Sequence, residues 1–350
     1  MSKFRFFAIW LLRYVVATTV VILFANALWA TYPGQNGRIA FSAKFTGTWQ
    51  LYTMEPDGTD LFQVTALPPT ENPFWFPDYS PGGKQLVFCH DMTGAVELYV
   101  VNVDGTGLKQ ITNDGTDNLF PRWSPDGTRI LFSTGFISDR FGYHHLATIR
   151  PDGSDRQQLT DVLFDDYQAE FTTDGKYIVF ASTRRNLISA LWMMNANSSS
   201  AKQLVPAALE AGGPDVSPDG AHMVFYDKQN TEQPGTLWVA LTDGTQRVQL
   251  TSRNQLLAGS PVFSPDGKKI VFNGSTPDGF GGDIMVMNAD GSEIKTVLSC
   301  ADGCALPDWG PKPKDDSARS NIRTNPRGSE KMSTSLQFPD RSLFGPNDQH

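Results

Sequence analysis

The sequence predicts an all-β protein: a six-bladed β-propeller of four-stranded antiparallel blades, its ring closed by a C-terminal strand that completes blade 1. Three observations predict it. A pattern recurs with a period of about 46 residues, the size of one propeller blade. The composition suits short strands and tight turns, with 31 Gly and 23 Pro against only 19% charged residues. Finally, the first repeat lacks an opening strand, and a lone strand follows the last repeat.

The recurring column is Phe41, Phe88, Phe132, Phe180, Phe225 and Phe272, at intervals of 47, 44, 48, 45 and 47 residues. Two residues earlier stand Ile39, Leu86, Ile130, Ile178, Met223 and Ile270. Two earlier again comes a mostly polar column of Gly37, Lys84, Thr128, Lys176, Ala221 and Lys268, so apolar and polar positions separate with the period of a strand. A turn precedes this strand: "SPGG" (80–83), "SPDG" (124–127), "TTDG" (172–175), "SPDG" (217–220) and "SPDG" (264–267). A third strand follows, as in "LYVV" (98–101) or "LWMM" (191–194), then a second Asp-Gly turn at Asp57, Asp104, Asp152, Asp243 and Asp290. "NANSS" replaces that turn in the fourth copy. A short "QVT", "QIT" or "QLT" strand ends most units.

Each unit also needs a first strand, marked by "PDY" (77–79), "PRW" (121–123), "AEF" (169–171), "PDV" (214–216), "PVF" (261–263) and "PDW" (307–309). The copy beginning near Gly37 has none before it, and "PDW" has no strands after it. Pairing the two repairs both defects and hides two sheet edges.

Outside the repeats, Lys3 and Arg5 precede an apolar stretch that Arg13 interrupts, and Ala25-Asn26-Ala27 fits a cleavage site. Residues 1–27 read as a signal peptide. The competing reading is an uncleaved membrane anchor extending to about residue 30, since 14–30 carries no charge. Either way, the propeller at 33–311 is expected to be exported, as a periplasmic or secreted protein or one tethered to the membrane. Residues 312–350 lack periodicity and read as a disordered tail. Residues 28–310 carry 19 basic and 32 acidic groups. Such a surface repels phosphate backbones and anionic headgroups, so nucleic acid is excluded and membrane contact is confined to an uncleaved leader. Three cysteines are too few for a disulfide framework. Cys300 and Cys304 could close a small loop or stay free thiols, and Cys89 is left over.

The stretch "P-x-W-S-P-D-G-x-x-I-x-F", followed by "L-W/Y-x-M-N-x-D-G" and "Q-L-T", resembles the WD40-like PD40 repeats of the TolB-like propellers, over roughly 33–311. The separate N-terminal α/β domain of TolB has no match in this sequence. The resemblance implies the propeller fold and a role in the cell envelope. PD40-like propellers also resemble oligosaccharide lyases and precede serine peptidase domains, which keeps an enzymatic alternative open.

No G-x-S-x-G elbow, H-E-x-x-H or phosphate loop is present. His222 falls in a water-facing column, while His90, His144 and His145 lie on varied loops without an evident third metal ligand. The Asp-Gly pairs read as turns, because they show no run of alternating calcium ligands. The column before the innermost aromatic is Asp78, Arg122, Glu170, Asp215, Val262 and Asp308. Gathered on the axis, these groups would raise one another's pKa or attract calcium or another cation; the alternative is a solvated channel wall around structural water. No other cofactor is expected. Loops on the face opposite the uniform turns vary, and Phe136, Arg140, Tyr143, Arg184 and Arg185 are the candidate anchors for a partner. The expected function is a monomeric, non-enzymatic scaffold that binds an envelope protein or peptide. The alternative is a lyase, lactonase or hydrolase acting on a sugar or small molecule at the acidic channel mouth.

Overall fold

A computed structural model describes residues 34–68, 75–91, 94–135, 143–184, 187–228, 235–275, 282–300 and 303–313. The expected leader, the tail from residue 314 and the candidate anchors Phe136, Arg140 and Arg185 lie outside the described residues.

Six four-stranded antiparallel sheets form the blades, as the period predicts. Blade 1 runs outward through Cys304–Pro311, Asn36–Ala43, Gln50–Met54 and Phe62–Gln63. Blade 2 follows with Asp78–Tyr79, Gln85–His90, Glu97–Asn102 and Lys109–Gln110, and blade 3 with Asp117–Trp123, Ile130–Gly135, His145–Ile149 and Gln157–Gln158. Blade 4 comprises Asp166–Phe171, Tyr177–Ser182, Ala190–Asn195 and Lys202–Gln203. Blade 5 comprises Gly212–Val216, His222–Asp227, Thr236–Leu241 and Val248–Gln249, and blade 6 Leu257–Phe263, Lys269–Ser275, Asp283–Asn288 and Lys295–Leu298. Among the described residues the one helical turn is Ala207–Leu209, and no helix is long and apolar enough to cross a membrane.

The C-terminal strand closes the ring in antiparallel register, with Ile39 opposite Trp309 and Ala40 opposite Asp308. Several contacts reinforce that seam. The Trp309 indole N–H donates to the Gly37 carbonyl (3.2 Å), and Asn273 of blade 6 uses its amide as a substitute strand, donating to the Cys304 carbonyl (3.0 Å) and accepting from the Leu306 N–H (2.5 Å). A Cys300–Cys304 disulfide, Cα–Cα 5.6 Å, joins the end of blade 6 to the closing strand.

The core is divided into six clusters, one between each neighbouring pair of blades. The Phe column and the Ile/Leu/Met column are fully buried, and so are the residues between them: Ala40, Val87, Leu131, Val179, Val224 and Val271. The apolar and polar positions therefore separate at the entry of the second strand and not between its two faces. The reason is that each sheet is sandwiched between two others, so both faces are covered.

The recurring turn and end motifs have defined work. In "SPDG", the Ser124 hydroxyl donates to Asp126 Oδ1 (2.6 Å), which also accepts the Thr128 N–H (3.0 Å). At the outer strand, the Gln110 amide donates to the Thr112 carbonyl (2.8 Å) while Thr112 Oγ1 accepts the Leu98 N–H (2.8 Å). Gly153, at φ 86°, lies where a Cβ would meet the Ile111 carbonyl oxygen of blade 2 at 2.8 Å, so this Asp-Gly turn also sets how closely blades 2 and 3 pack.

Candidate functional site: the central channel and the loop face

The innermost strands bring Asp78, Arg122, Glu170, Asp215, Val262 and Asp308 around the axis. Three carboxylates reach sideways to the next blade. Asp308 accepts the Tyr79 N–H (2.7 Å), Asp78 the Trp123 N–H (2.7 Å) and Asp215 the Phe263 N–H (2.8 Å). Arg122 bridges Asp78 and Glu170, with Nη1 at 3.2 Å from Asp78 Oδ1 and Nε at 3.1 Å from Glu170 Oε2. Glu170 Oε1 accepts the Phe171 N–H (3.0 Å). The column thus staples blade to blade as well as lining a channel.

Its electrostatics follow from burial. Loss of water and then the charge of Asp308 push Asp78 up to about 8. Burial likewise pushes Asp215 up to about 7 and raises Glu170 and Asp308. Burial alone would lower Arg122, but Asp78 and Glu170 outweigh it and hold the guanidinium above its ordinary value. Arg122 supplies part of the positive charge that a cation was expected to bring. Among the described residues no group of three or more His, Cys, Asp or Glu is arranged to hold a metal ion.

The channel has two dissimilar mouths. On the turn face, the acids and the aromatic column, including Trp123, Phe171 and Trp309, line a cavity of about 100 Å³. On the loop face, a cavity of about 40 Å³ is walled by Phe76, Phe120, Leu306 and several prolines, with Arg122 the one charged residue in its wall. This second mouth escapes sequence reading. Phe76, Phe120, Gln168, Gly213, Ser260 and Leu306 all stand two residues before the channel column with φ between 41° and 59°. Where the inner strand continues past them, bulges interrupt its register with the second strand, for example between Leu119 and Arg122. These residue types share no preference for left-handed backbone, so only the aligned repeat number could have singled them out. Phe76 packs on Phe120 at 4.3 Å between ring centroids, and Phe120 lies 6.4 Å from Tyr167. Gln168 Oε1 accepts the Gly213 N–H (2.9 Å) and the Tyr226 hydroxyl (3.0 Å).

The other candidates are dispersed. Tyr143 is exposed on the loop face. Arg184 is bound in a two-pronged pair with Asp166 (Nη2 to Oδ2 2.7 Å, Nε to Oδ1 3.1 Å), and it lies over the rings of Phe164 and Phe180. His144 Nδ1 sits 2.8 Å from Asp165 Oδ1, burial holds His90 and His145 below the ordinary imidazole range, and His222 faces water.

A closed ring of six four-stranded antiparallel blades with a stapled acidic axis defines a repeat-built β-propeller. The family described as PD40, TolB beta propeller domain, matches residues 73–258, and the chain belongs to it. Among solved structures, TolB from Acinetobacter baumannii is 22% identical, with a TM-score of 0.67, covering 79% of this chain and 67% of that one. A chain assigned as TolB from Agrobacterium tumefaciens is 21% identical, with a TM-score of 0.56 and coverage of 79% and 90%. The hydrazine synthase of Kuenenia stuttgartiensis is 15% identical, with a TM-score of 0.64 and coverage of 81% and 48%. These likenesses establish the fold. No curated protein sequence matches the chain.

Proposed function

We propose that this propeller is an exported, non-enzymatic scaffold that receives an envelope protein or peptide on its loop face. The observation that carries the reading is the size of the channel mouths. At about 100 and 40 Å³ they fall below the roughly 300–1,000 Å³ of a small-molecule pocket. The enzymatic alternative needs room for a sugar or lactone beside the acids, and those acids already accept backbone N–H groups or the Arg122 guanidinium. Varied loops on a rigid ring, by contrast, are what recognition of a macromolecule requires. Family membership supports the same reading, since the A. baumannii structure is a TolB and the A. tumefaciens structure is assigned as one.

The test is site-specific photocrosslinking in the protein's native cells, with benzoylphenylalanine at Tyr143 on the loop face or at Thr128 on the turn face. A discrete adduct from Tyr143 and none from Thr128 is expected. Adducts from neither position, or from Thr128 alone, would overturn the reading.

A further inference from the structure

We propose that the ring has one built-in point of opening, the seam between blades 3 and 4, and that the other five seams hold when it parts. The inference goes beyond the binding reading and does not depend on it.

The other seams carry ties that this one lacks. At the outer edge, the second turn of a blade lays a glycine against the blade before: a Cβ on Gly58, Gly105, Gly153, Gly244 or Gly291 would meet the carbonyl oxygen of Val297, Val64, Ile111, Leu204 or Leu250 at no more than 3.2 Å. Blade 4 has Ser198 in that place, at φ 66°, and its real Cβ forbids so close an approach. On the turn face, a Cβ on Gly127, Gly220 or Gly267 would touch Pro81, Thr173 or Pro218 of the preceding blade, but one on Gly175 of blade 4 would meet nothing within 4 Å. At the axis, Asp308, Asp78 and Asp215 accept a backbone N–H across the 1–2, 2–3 and 5–6 seams, Gln168 does so across 4–5, and the disulfide and Asn273 brace 6–1. Blade 3 offers Arg122, a side chain with no acceptor.

The 3–4 seam is crossed instead by side-chain pairs and a backbone bond. Arg122 pairs with Glu170, Asp165 Oδ1 sits 2.8 Å from His144 Nδ1, and the Asp166 N–H donates to the His144 carbonyl (2.8 Å). Among the described residues the core behind them is the smallest of the six, with seven buried residues against nine to twelve in each other cluster. Two buried polar atoms weaken it further: Trp192 Nε1, and Ser133 Oγ on the same strand face as Leu131, find no hydrogen-bond partner. Phe120 of blade 3 and Tyr167 of blade 4 lie across this seam, 6.4 Å between ring centroids, so its parting widens the apolar channel mouth and leaves the other walls in place.

Thiol labelling tests the opening. Ile130, Ile178 and Ile270 hold the same place in the repeat, are fully buried, and pack in the 2–3, 3–4 and 5–6 seams respectively. Each is changed to cysteine in the full chain carrying Cys89→Ser, and uptake of N-ethylmaleimide by the folded protein is timed. Ile178→Cys should label about tenfold faster than Ile130→Cys or Ile270→Cys, the mark of a local opening. Adding Ser198→Gly should slow Ile178→Cys about threefold and leave Ile270→Cys unchanged, because the turn can then close on blade 3. Equal rates at the three positions, a faster rate at either of the other two, or no response to Ser198→Gly would overturn the proposal. The unsubstituted chain gives an independent reading. Its Asp166 N–H should exchange with deuterium about tenfold faster than the equivalent Asn118 N–H, which donates to the Val96 carbonyl across the 2–3 seam (2.7 Å). Equal or slower exchange at Asp166 would also rule the opening out.

Discussion

Asp78 and Asp126 are the same residue type, the repeat carries the first position in six blades and the second in five, and both stand toward the turn face, yet their environments act in opposite directions. At Asp78 burial dominates and the carboxyl is pushed up to about 8. At Asp126 burial also pushes upward, but the Ser124 hydroxyl and the Thr128 N–H outweigh it and hold the group below the ordinary carboxylate range. Asp174, Asp219 and Asp266 follow Asp126, whereas Glu170, Asp215 and Asp308 follow Asp78. A carboxyl's place in the repeat therefore sets its role, because the channel position loses its water with few compensating donors while the turn position keeps its donors and most of its water.

The two sets predict separate pH windows. A channel carboxyl is raised in the fold, so its stabilising contribution is complete below the unfolded value near 4 and is lost as pH climbs through about 7 for Asp215 and about 8 for Asp78. A turn aspartate is lowered, so its contribution is present above the unfolded value and is lost as pH falls through the lower folded value.

The largest effect should come from Arg122→Met. Removing the one cation among four axial acids should cost about 3–5 kcal/mol at pH 8, read as a drop in urea midpoint, and less at pH 5, where Asp78 and Asp215 hold their protons. An equal loss at both values would show that Arg122 serves packing alone. Next, Asp78→Asn keeps an acceptor for the Trp123 N–H and mimics the protonated acid at every pH. It should stabilise the propeller at pH 8 by about 2 kcal/mol or more relative to wild type and leave it near wild type only below about pH 4; destabilisation at pH 8 would place the working form of Asp78 as the anion. The smallest effect belongs to Asp126→Ala, which removes the hydrogen bonds to Ser124 and Thr128. It should cost about 1 kcal/mol at pH 7 and less as pH falls through the lowered folded value, and a loss undiminished in strong acid would contradict the turn assignment.

Much of the architecture was legible before any coordinate. The Phe41-to-Phe272 column, the Asp-Gly turns and the unpaired "PDW" segment lead to six closed blades, because repeat spacing and turn chemistry are local properties. The candidate site was legible only as a column of acids. That Asp308 would bond to Tyr79, 229 positions away in the chain, depends on the ring having closed. The bulge residues from Phe76 to Leu306 were invisible, since a left-handed Phe beside a left-handed Gln obeys no propensity. Arg184 looked like a free anchor, yet Asp166 claims it; no loop sequence reveals that a buried acid lies behind it.

The sequence by itself determined the number of blades, their strand order and the turns between them, because those follow from periods and residue preferences spanning a few dozen positions. Only the tertiary structure decided which carboxyls stay protonated and which end of the channel is apolar. Those properties arise from burial and from neighbours contributed by other blades, and neither exists until the ring is shut.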